Sequence, residues 1–326
     1  MRGSVKHLSA NLDSRSGDMG TPIQTVLIYG YGVMGRGVAK TFADAGFATL
    51  VKSSRASKLT GLPAKTSAVE RLPKEAPDLV IEFVPEDVRI KQAVYAEIEA
   101  AYPGEAPDDA PLIASGTSGL DLVELARKMK RPERFLGVHY FMPADTAPVV
   151  EVMAGLATSR AEVDRVADAL RRTGKEPVVL YKPIVGFLVN RLQHAILHEA
   201  YYLIEAGVAT VEDIDHAARR MLAPRMCLNG LIQQKDISGL KIHADAQESI
   251  VPKLFHNATP NPMLQTMVAL GRTGLSTGKG FYDWGGCDVD AVRKQASSQL
   301  ARLLEFLRSG IGAPAPRTKP KALPQR

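Results

Sequence analysis

The stretch Thr25–Arg55, TVLIYGYGVMGRGVAKTFADAGFATLVKSSR, constrains the fold more than any other part of the chain. It predicts a buried strand at Val26–Ile28, a glycine turn, an amphipathic helix and a second strand. The helix presents Val38, Ala39, Phe42 and Ala43 on one face, and Gly46 stands where a C-terminal cap belongs. Gly30, Gly32 and Gly35 have the G-x-G-x-x-G spacing of a dinucleotide-binding turn. Gly30 permits the tight turn, Gly32 lets backbone N–H groups approach a pyrophosphate, and Gly35 lets the helix pack closely. Val33 and Met34 open the helix whose positive end and unpaired N–H groups would receive the phosphates. Among 27 glycines in 326 residues the spacing alone says little. The strand before it and the helix after it carry the reading.

The end of the second strand bears on which coenzyme. Dinucleotide folds that take NAD place Asp or Glu about 20 residues after the turn, to accept from the ribose hydroxyls. This chain has Ser53, Ser54 and Arg55 there, flanked by Lys52 and Lys58, with no carboxylate in the run. Two hydroxyls and a guanidinium suit a 2′-phosphate, and each charge-assisted bond is worth roughly 1.5–3 kcal/mol. NADP(H) is therefore expected over NAD(H). A solvated basic loop on an NAD enzyme is the plainer alternative.

At 326 residues, two domains are expected. The boundaries predicted are an N-terminal extension over 1–22, a dinucleotide-binding Rossmann domain over 23–182, a helical substrate and dimerisation domain over 183–308, and a basic tail over 309–326. Residues 1–22 have no hydrophobic periodicity or apolar signal core, and Met19 is a natural start for such a domain. The tail is rich in Pro and basic residues, so both ends are expected to be disordered. The tail alone supplies four of the six net positive charges, through Arg317, Lys319, Lys321 and Arg326. A nearly balanced body with basic ends is a solvated enzyme rather than a reader of nucleic-acid phosphates. No apolar run is long enough to span a membrane, and Cys227 and Cys287 form no metal-like pair. A cytoplasmic, reducing location is expected.

After an irregular section, strands are predicted at Pro77–Val84, Leu112–Ser115, Phe135–His139, Val149–Met153 and Val178–Tyr181. Helices are predicted at Glu86–Ala101, Leu120–Lys130 and Ala161–Arg172. This alternation means an α/β class, a doubly wound parallel or mixed sheet covered on both faces. From Pro183 the pattern turns all-α, with helices at Gly186–Ala206 and Glu212–Leu222.

Four further segments place polar groups among apolar ones: SGTSGL (Ser115–Leu120), HYFMP (His139–Pro143), VVEVM (Val149–Met153) and VGFLVNRL (Val185–Leu192). With the glycine turn, Gly207–Asp215 and TGKGFYDW (Thr277–Trp284), they make the chain resemble the 3-hydroxyacyl-CoA dehydrogenase family, which includes dehydrogenases of free 3-hydroxy acids. The resemblance spans residues 24–285. It implies a Rossmann domain, a helical domain that dimerises, and hydride transfer between a 3-hydroxyl carbon and a nicotinamide. It also implies catalytic roles for His139, for Glu151 as its orienting acid, and for Ser118 and Asn190 near the reacting oxygen. Glu86 and Lys91 match positions that approach the nicotinamide end of the coenzyme. These roles also stand on chemistry. Histidine titrates near neutrality, a mid-strand Glu151 needs a partner, and Ser118 and Asn190 can donate to a developing alkoxide. Either residue alone would read as a packed strand histidine or an exposed strand acid; together, and with the glycine turn, they read as a site. His194 and His198 are four apart on a helix, but no third ligand is placed, so no metal is expected.

Three departures bear on the substrate. Relatives acting on CoA thioesters carry a helical insertion after the second strand, whereas the section from Arg55 to Leu79 is short and contains Pro63, Pro73 and Pro77. Met142 replaces a polar asparagine, and Gly116 stands where another asparagine is usual. The expected activity is hydride transfer between NADP(H) and a small 3-hydroxy or 3-keto carboxylic compound that is not a CoA thioester. The alternatives are an NAD-dependent 3-hydroxyacyl-CoA dehydrogenase and, from another class, a non-catalytic coenzyme-binding protein.

Overall fold

The strands that bury both faces are mostly apolar, and they form the centre of one sheet. The computed structural model describes residues 21–104 and 109–308. The expectations for residues 1–20 and for the tail over 309–326 fall outside them. Eight strands pair in the order β3-β2-β1-β4-β5-β6-β7-β8. They are β1 (Thr25–Tyr29), β2 (Ala48–Lys52), β3 (Thr66–Val69), β4 (Leu79–Glu82), β5 (Leu112–Ser115), β6 (Phe135–Tyr140), β7 (Val149–Ala154) and β8 (Glu176–Leu180). All pairings are parallel except β6 with β7. The chain moves outward from β1 to β3, then crosses back to β4 on the other side of β1. That reversal makes β1/β4 the topological switch point, where ligands enter at the carboxyl ends of the strands.

Helices α1 (Val33–Asp44), α2 (Val88–Ala101), α3 (Leu122–Ala126) and α4 (Arg160–Arg172) cover the sheet. Val38 and Phe42 of α1 and Val163, Val166 and Leu170 of α4 share one apolar layer with the sheet. Val94, Tyr95 and Ile98 of α2 and Leu122 and Leu125 of α3 form the other, which also takes Phe187. Side chains define three of these helix starts, Ser159 capping α4 by accepting from the N–H of Glu162. Asp87 accepts from the N–H groups of Arg89 and Ile90, and Asp121 from that of Val123. The helix expected over Leu120–Lys130 begins after the Asp121 cap and ends at Ala126.

Several elements differ from the sequence-based expectation for physical reasons. The section after β2 is not irregular: it holds a short 3-10 helix at Ala56–Lys58 and then β3, which pairs with β2 from Thr49↔Thr66 to Lys52↔Val69. Four half-polar residues become a strand because β2 offers an open edge, a tertiary cause. The helix expected from Gly186 is α5 (Val189–Glu205), because Gly186 and Phe187 have φ of 83° and 52°. The helix expected over Glu212–Leu222 is α6 (Val211–Ala217), followed by a π turn at Ala218–Leu222 and α7 (Ala223–Asn229). Pro224 has no N–H to donate into the preceding turn, so the helical ladder shifts there.

By compactness the chain divides into two units, up to Leu192 and from Gln193, ten residues beyond the boundary expected at Lys182. The extra residues stay with the first unit because they are bonded to it. Phe187 is wholly buried in its core, and Asn190 reaches the carbonyl of Ser118. The second unit adds α8 (Gln233–Ser238), α9 (Leu240–Ile250), α10 (Pro262–Ala269) and α11 (Val289–Arg308). No described helix is long and apolar enough to cross a membrane.

Candidate active site

At the switch point, the turn from β1 into α1 has the geometry a dinucleotide needs. Gly30 has φ 101°, and a Cβ there would lie 2.7 Å from the carbonyl oxygen of Phe83. A Cβ on Gly35 would lie 2.0 Å from the oxygen of Gly30, so the helix can approach the turn only without one. Gly32 is different: a Cβ there would meet nothing within 4 Å. The fold itself makes no demand for glycine at this position, which leaves open room in front of the helix. No side chain caps α1, and Val33 at its first turn is exposed while Met34 is half-buried. An uncapped helix N-terminus with clear space ahead of it fits a pyrophosphate.

The turn after β2 closes on itself. The N–H of Arg55 donates to Ser53 Oγ at 3.2 Å, and Ser54 and Arg55 are exposed. Lys52 is turned back, with its ammonium 5.0 Å from the centre of the Tyr29 ring. A carboxylate does reach this turn, from a residue distant in sequence: Ser57 donates to Glu70 Oε1 at 2.9 Å.

The carboxyl end of β4 holds a buried charged group. Glu82 is fully buried; its Oε1 accepts from Lys91 Nζ at 2.7 Å and from the N–H of Val84 at 2.6 Å. Its Oε2 accepts from the Tyr95 hydroxyl at 2.7 Å and from Ser115 Oγ at 3.2 Å. Burial, then the Glu82 carboxylate, push the Tyr95 hydroxyl upward, which keeps it a donor. The Lys91 ammonium is enclosed, and its second carboxylate is Glu86 at 3.4 Å. Glu86 Oε1 accepts from Thr117 Oγ1 at 2.6 Å and from the N–H of Ser118 at 2.9 Å. Burial pushes the Glu86 carboxyl up, but Thr117, the Ser118 N–H, Lys91 and the Gly119 N–H outweigh it and hold the group below its ordinary value.

His139 and Glu151 are directly opposed on antiparallel β6 and β7. His139 Nδ1 lies 2.8 Å from Glu151 Oε2, with the imidazole 5% exposed and the carboxylate fully buried. The ring sits between Phe141 and Phe187, at 4.6 and 5.0 Å between centres. Glu151 Oε1 accepts from the N–H groups of Leu188 and Val189, each at 2.9 Å. A buried carboxylate therefore has three donors, one of them the imidazole, and its position leaves His139 Nε2 as the nitrogen open to a reactant. Asn190 Nδ2 donates to the Ser118 carbonyl at 3.0 Å, which engages one of its two amide hydrogens. The Ser118 peptide is thus held by its N–H through Glu86 and by its carbonyl through Asn190.

The catalytic and coenzyme residues expected from the sequence all lie in the first unit, along the carboxyl ends of β1, β2, β4 and β5, on α1 and α2, on β6 and β7, and at the start of α5. Glu82, Tyr95, Thr117 and Glu70 escaped sequence reasoning. Glu82 had a usable signal, since it ends an apolar strand just as Glu151 interrupts one. Met142 is 65% exposed beside this group. Gly116 is no vacancy: a Cβ there would meet the Phe83 ring at 2.4 Å and the Glu82 carbonyl oxygen at 2.6 Å. Among the described residues, no cluster of three His, Cys, Asp or Glu could hold a metal, and His198 donates to the Asn257 carbonyl.

Known proteins carry the same architecture. Residues 64–184 match the NAD binding domain of 3-hydroxyacyl-CoA dehydrogenase, and residues 186–284 match its C-terminal domain. The 5-formyl-3-hydroxy-2-methylpyridine 4-carboxylate 5-dehydrogenase of Mesorhizobium japonicum is 31% identical over 231 residues, 71% of this chain and 72% of that protein. The 3-hydroxybutyryl-CoA dehydrogenase of Mycobacterium tuberculosis is 31% identical over 299 residues, 82% of this chain and 100% of that protein. A crystal structure of a 5-formyl-3-hydroxy-2-methylpyridine 4-carboxylic acid 5-dehydrogenase, described as an NAD+-dependent dismutase, superposes with a TM-score of 0.77 at 26% identity, covering 88% of this chain and 99% of that one. The glycine turn lies ahead of the first matched segment, so there the geometry speaks for itself. The chain belongs to the 3-hydroxyacyl-CoA dehydrogenase family and is a dehydrogenase that works with a nicotinamide coenzyme on a small-molecule substrate.

Proposed function

We propose that the protein transfers a hydride between NADP(H) and a free 3-hydroxy or 3-keto carboxylic compound, with His139 as the acid–base group. The observation that carries this reading is the buried His139–Glu151 pair, which fixes Nδ1 and leaves Nε2 for proton transfer. The nicotinamide supplies or accepts the hydride. In the reducing direction His139 gives its Nε2 proton to the ketone oxygen, and in the oxidising direction it takes the hydroxyl proton. Glu151 stabilises the imidazolium on the opposite nitrogen. Ser118 directs its hydroxyl to the reacting oxygen, and Asn190, through the Ser118 carbonyl, holds that segment in place. Glu86 and Lys91 shape the nicotinamide end by clamping Thr117 and Ser118.

The substrate reading rests on the connection after β2. It holds only the 3-10 helix at Ala56–Lys58 before β3, with no pair of helices to receive a CoA. A relative named for a pyridine carboxylate fits the same reading. The coenzyme reading rests on Ser53, Ser54 and the exposed Arg55. Both are tested by one panel: free 3-hydroxy and 3-keto acids and acetoacetyl-CoA, each assayed with both coenzymes. A free acid with NADP(H) is expected to give the highest kcat/KM. Efficient turnover of acetoacetyl-CoA with NADH would overturn both.

The second unit supports a homodimer. Among its described residues Asn261 is the one buried polar group and no apolar side chain is buried, while Ile232, Leu270 and Ile242 are 73%, 71% and 68% exposed. Helices that present so much apolar surface gain stability by covering it, and a second copy is the covering partner proposed here. Light scattering on the full chain is expected to give twice the chain mass at micromolar concentration. A monomer with a stable, cooperative melt would remove the dimer.

A further inference from the structure

β3 contributes more than an edge strand. Lys52 and Val69 are in register, and the N–H of Ser53 donates to the Val69 carbonyl at 3.0 Å. The next residue, Glu70, therefore leaves the sheet beside the turn Ser53–Arg55, at the carboxyl end of β2. Its carboxylate is held toward that turn by Ser57, whose hydroxyl donates to Oε1 at 2.9 Å, and Oε2 is left to accept from elsewhere. The charges near the turn are thus not all positive. Lys52 is occupied against the Tyr29 ring, whereas Arg55 and Glu70 are both exposed.

We propose that Glu70 is the ribose-side carboxylate of this coenzyme site, delivered from β3 rather than from the end of β2, and that it sets coenzyme choice by opposing Arg55. A carboxylate here accepts from the 2′-hydroxyl of NAD(H) and repels the 2′-phosphate of NADP(H). The guanidinium of Arg55 does the reverse. The two together keep NAD(H) usable at a turn whose local sequence favours NADP(H), and Ser57 holds the acid where it acts. This inference rests on the Ser53–Lys58 turn being the adenosine-ribose site.

The test is fluorescence titration of the full-length protein with NADPH and NADH, in the wild type, Glu70→Gln and Arg55→Ala. Glu70 is exposed, so the glutamine variant should fold normally. Glu70→Gln is expected to raise the NADPH-to-NADH affinity ratio about tenfold, by an amount that shrinks as salt is added. Arg55→Ala is expected to lower the ratio. If Arg55→Ala lowers it and Glu70→Gln leaves it unchanged, the turn holds the ribose and the role of Glu70 is overturned. If neither variant moves the ratio, the assignment of the turn itself fails, and the proposal with it.

Discussion

Replacing His139 by Gln is expected to lower turnover about 10²–10⁴-fold in both directions while coenzyme binding is retained. The size follows from what the side chain does. A glutamine keeps a polar group of similar reach on β6 but has no proton to give or take near neutral pH. The coenzyme turn lies on a different part of the sheet, on β1 and α1, so its geometry should survive. Two measurements separate the effects: steady-state rates with the best acid of the panel, and fluorescence titration with the reduced coenzyme. A variant with undiminished turnover would remove His139 from the mechanism. A variant that lost coenzyme affinity by the same factor would mean that the histidine shapes the fold rather than the reaction.

What the sequence made legible was whatever is local. β1, the glycine turn, α1 and β2 follow one another within 31 residues, and each is specified by its own periodicity, so the stretch can be read without knowing what surrounds it. β3 could not be read this way, because TSAV becomes a strand only when β2 offers it hydrogen bonds. For the same reason Glu70 went unseen: it reaches the β2 turn through the sheet and not along the chain. His139 and Glu151 form an intermediate case. Twelve residues apart, they are brought together by the antiparallel register of β6 and β7, which the sequence does not state. The cost of burying a carboxylate mid-strand suggested that Glu151 had a partner, and the family resemblance named His139 as that partner. Asn190 shows the limit of role assignment by chemistry. A donor to the reacting oxygen was one use of its amide, but one of its hydrogens is engaged by the Ser118 carbonyl. Gly116 stands where an asparagine is usual, yet the Phe83 ring and the Glu82 carbonyl leave no room for a side chain there.

Changing Glu151 should separate the chemistry from the stability, because the two carboxylate oxygens serve different partners. Oε2 faces His139 Nδ1, and Oε1 takes the N–H groups of Leu188 and Val189 at the start of α5. In Glu151→Gln a carbonyl oxygen can still accept from both backbone N–H groups. The loss there is that of charge, roughly 1–2 kcal/mol of stability. The amide NH₂ would then face Nδ1, and the imidazole must present a lone pair to it. The ring hydrogen moves to Nε2, the wrong tautomer for taking a proton from a hydroxyl. Turnover in the oxidising direction is expected to fall about 10²–10⁴-fold. In Glu151→Leu the shape is roughly kept but three buried donors lose their acceptor. At about 1–3 kcal/mol for each unsatisfied group, the cost is roughly 3–9 kcal/mol, comparable to the whole stability of an ordinary domain. Urea unfolding and steady-state kinetics on the two variants read these effects apart. Glutamine should lower the unfolding midpoint modestly and remove activity, whereas leucine should lower the midpoint severely as well as activity, with early cleavage by protease in the segment 183–189 as the start of α5 comes loose. A glutamine variant with normal turnover would show that the tautomer of His139 does not matter to the reaction. A leucine variant of normal stability would show that Leu188 and Val189 find another acceptor, and that Glu151 is not what attaches α5 to the sheet.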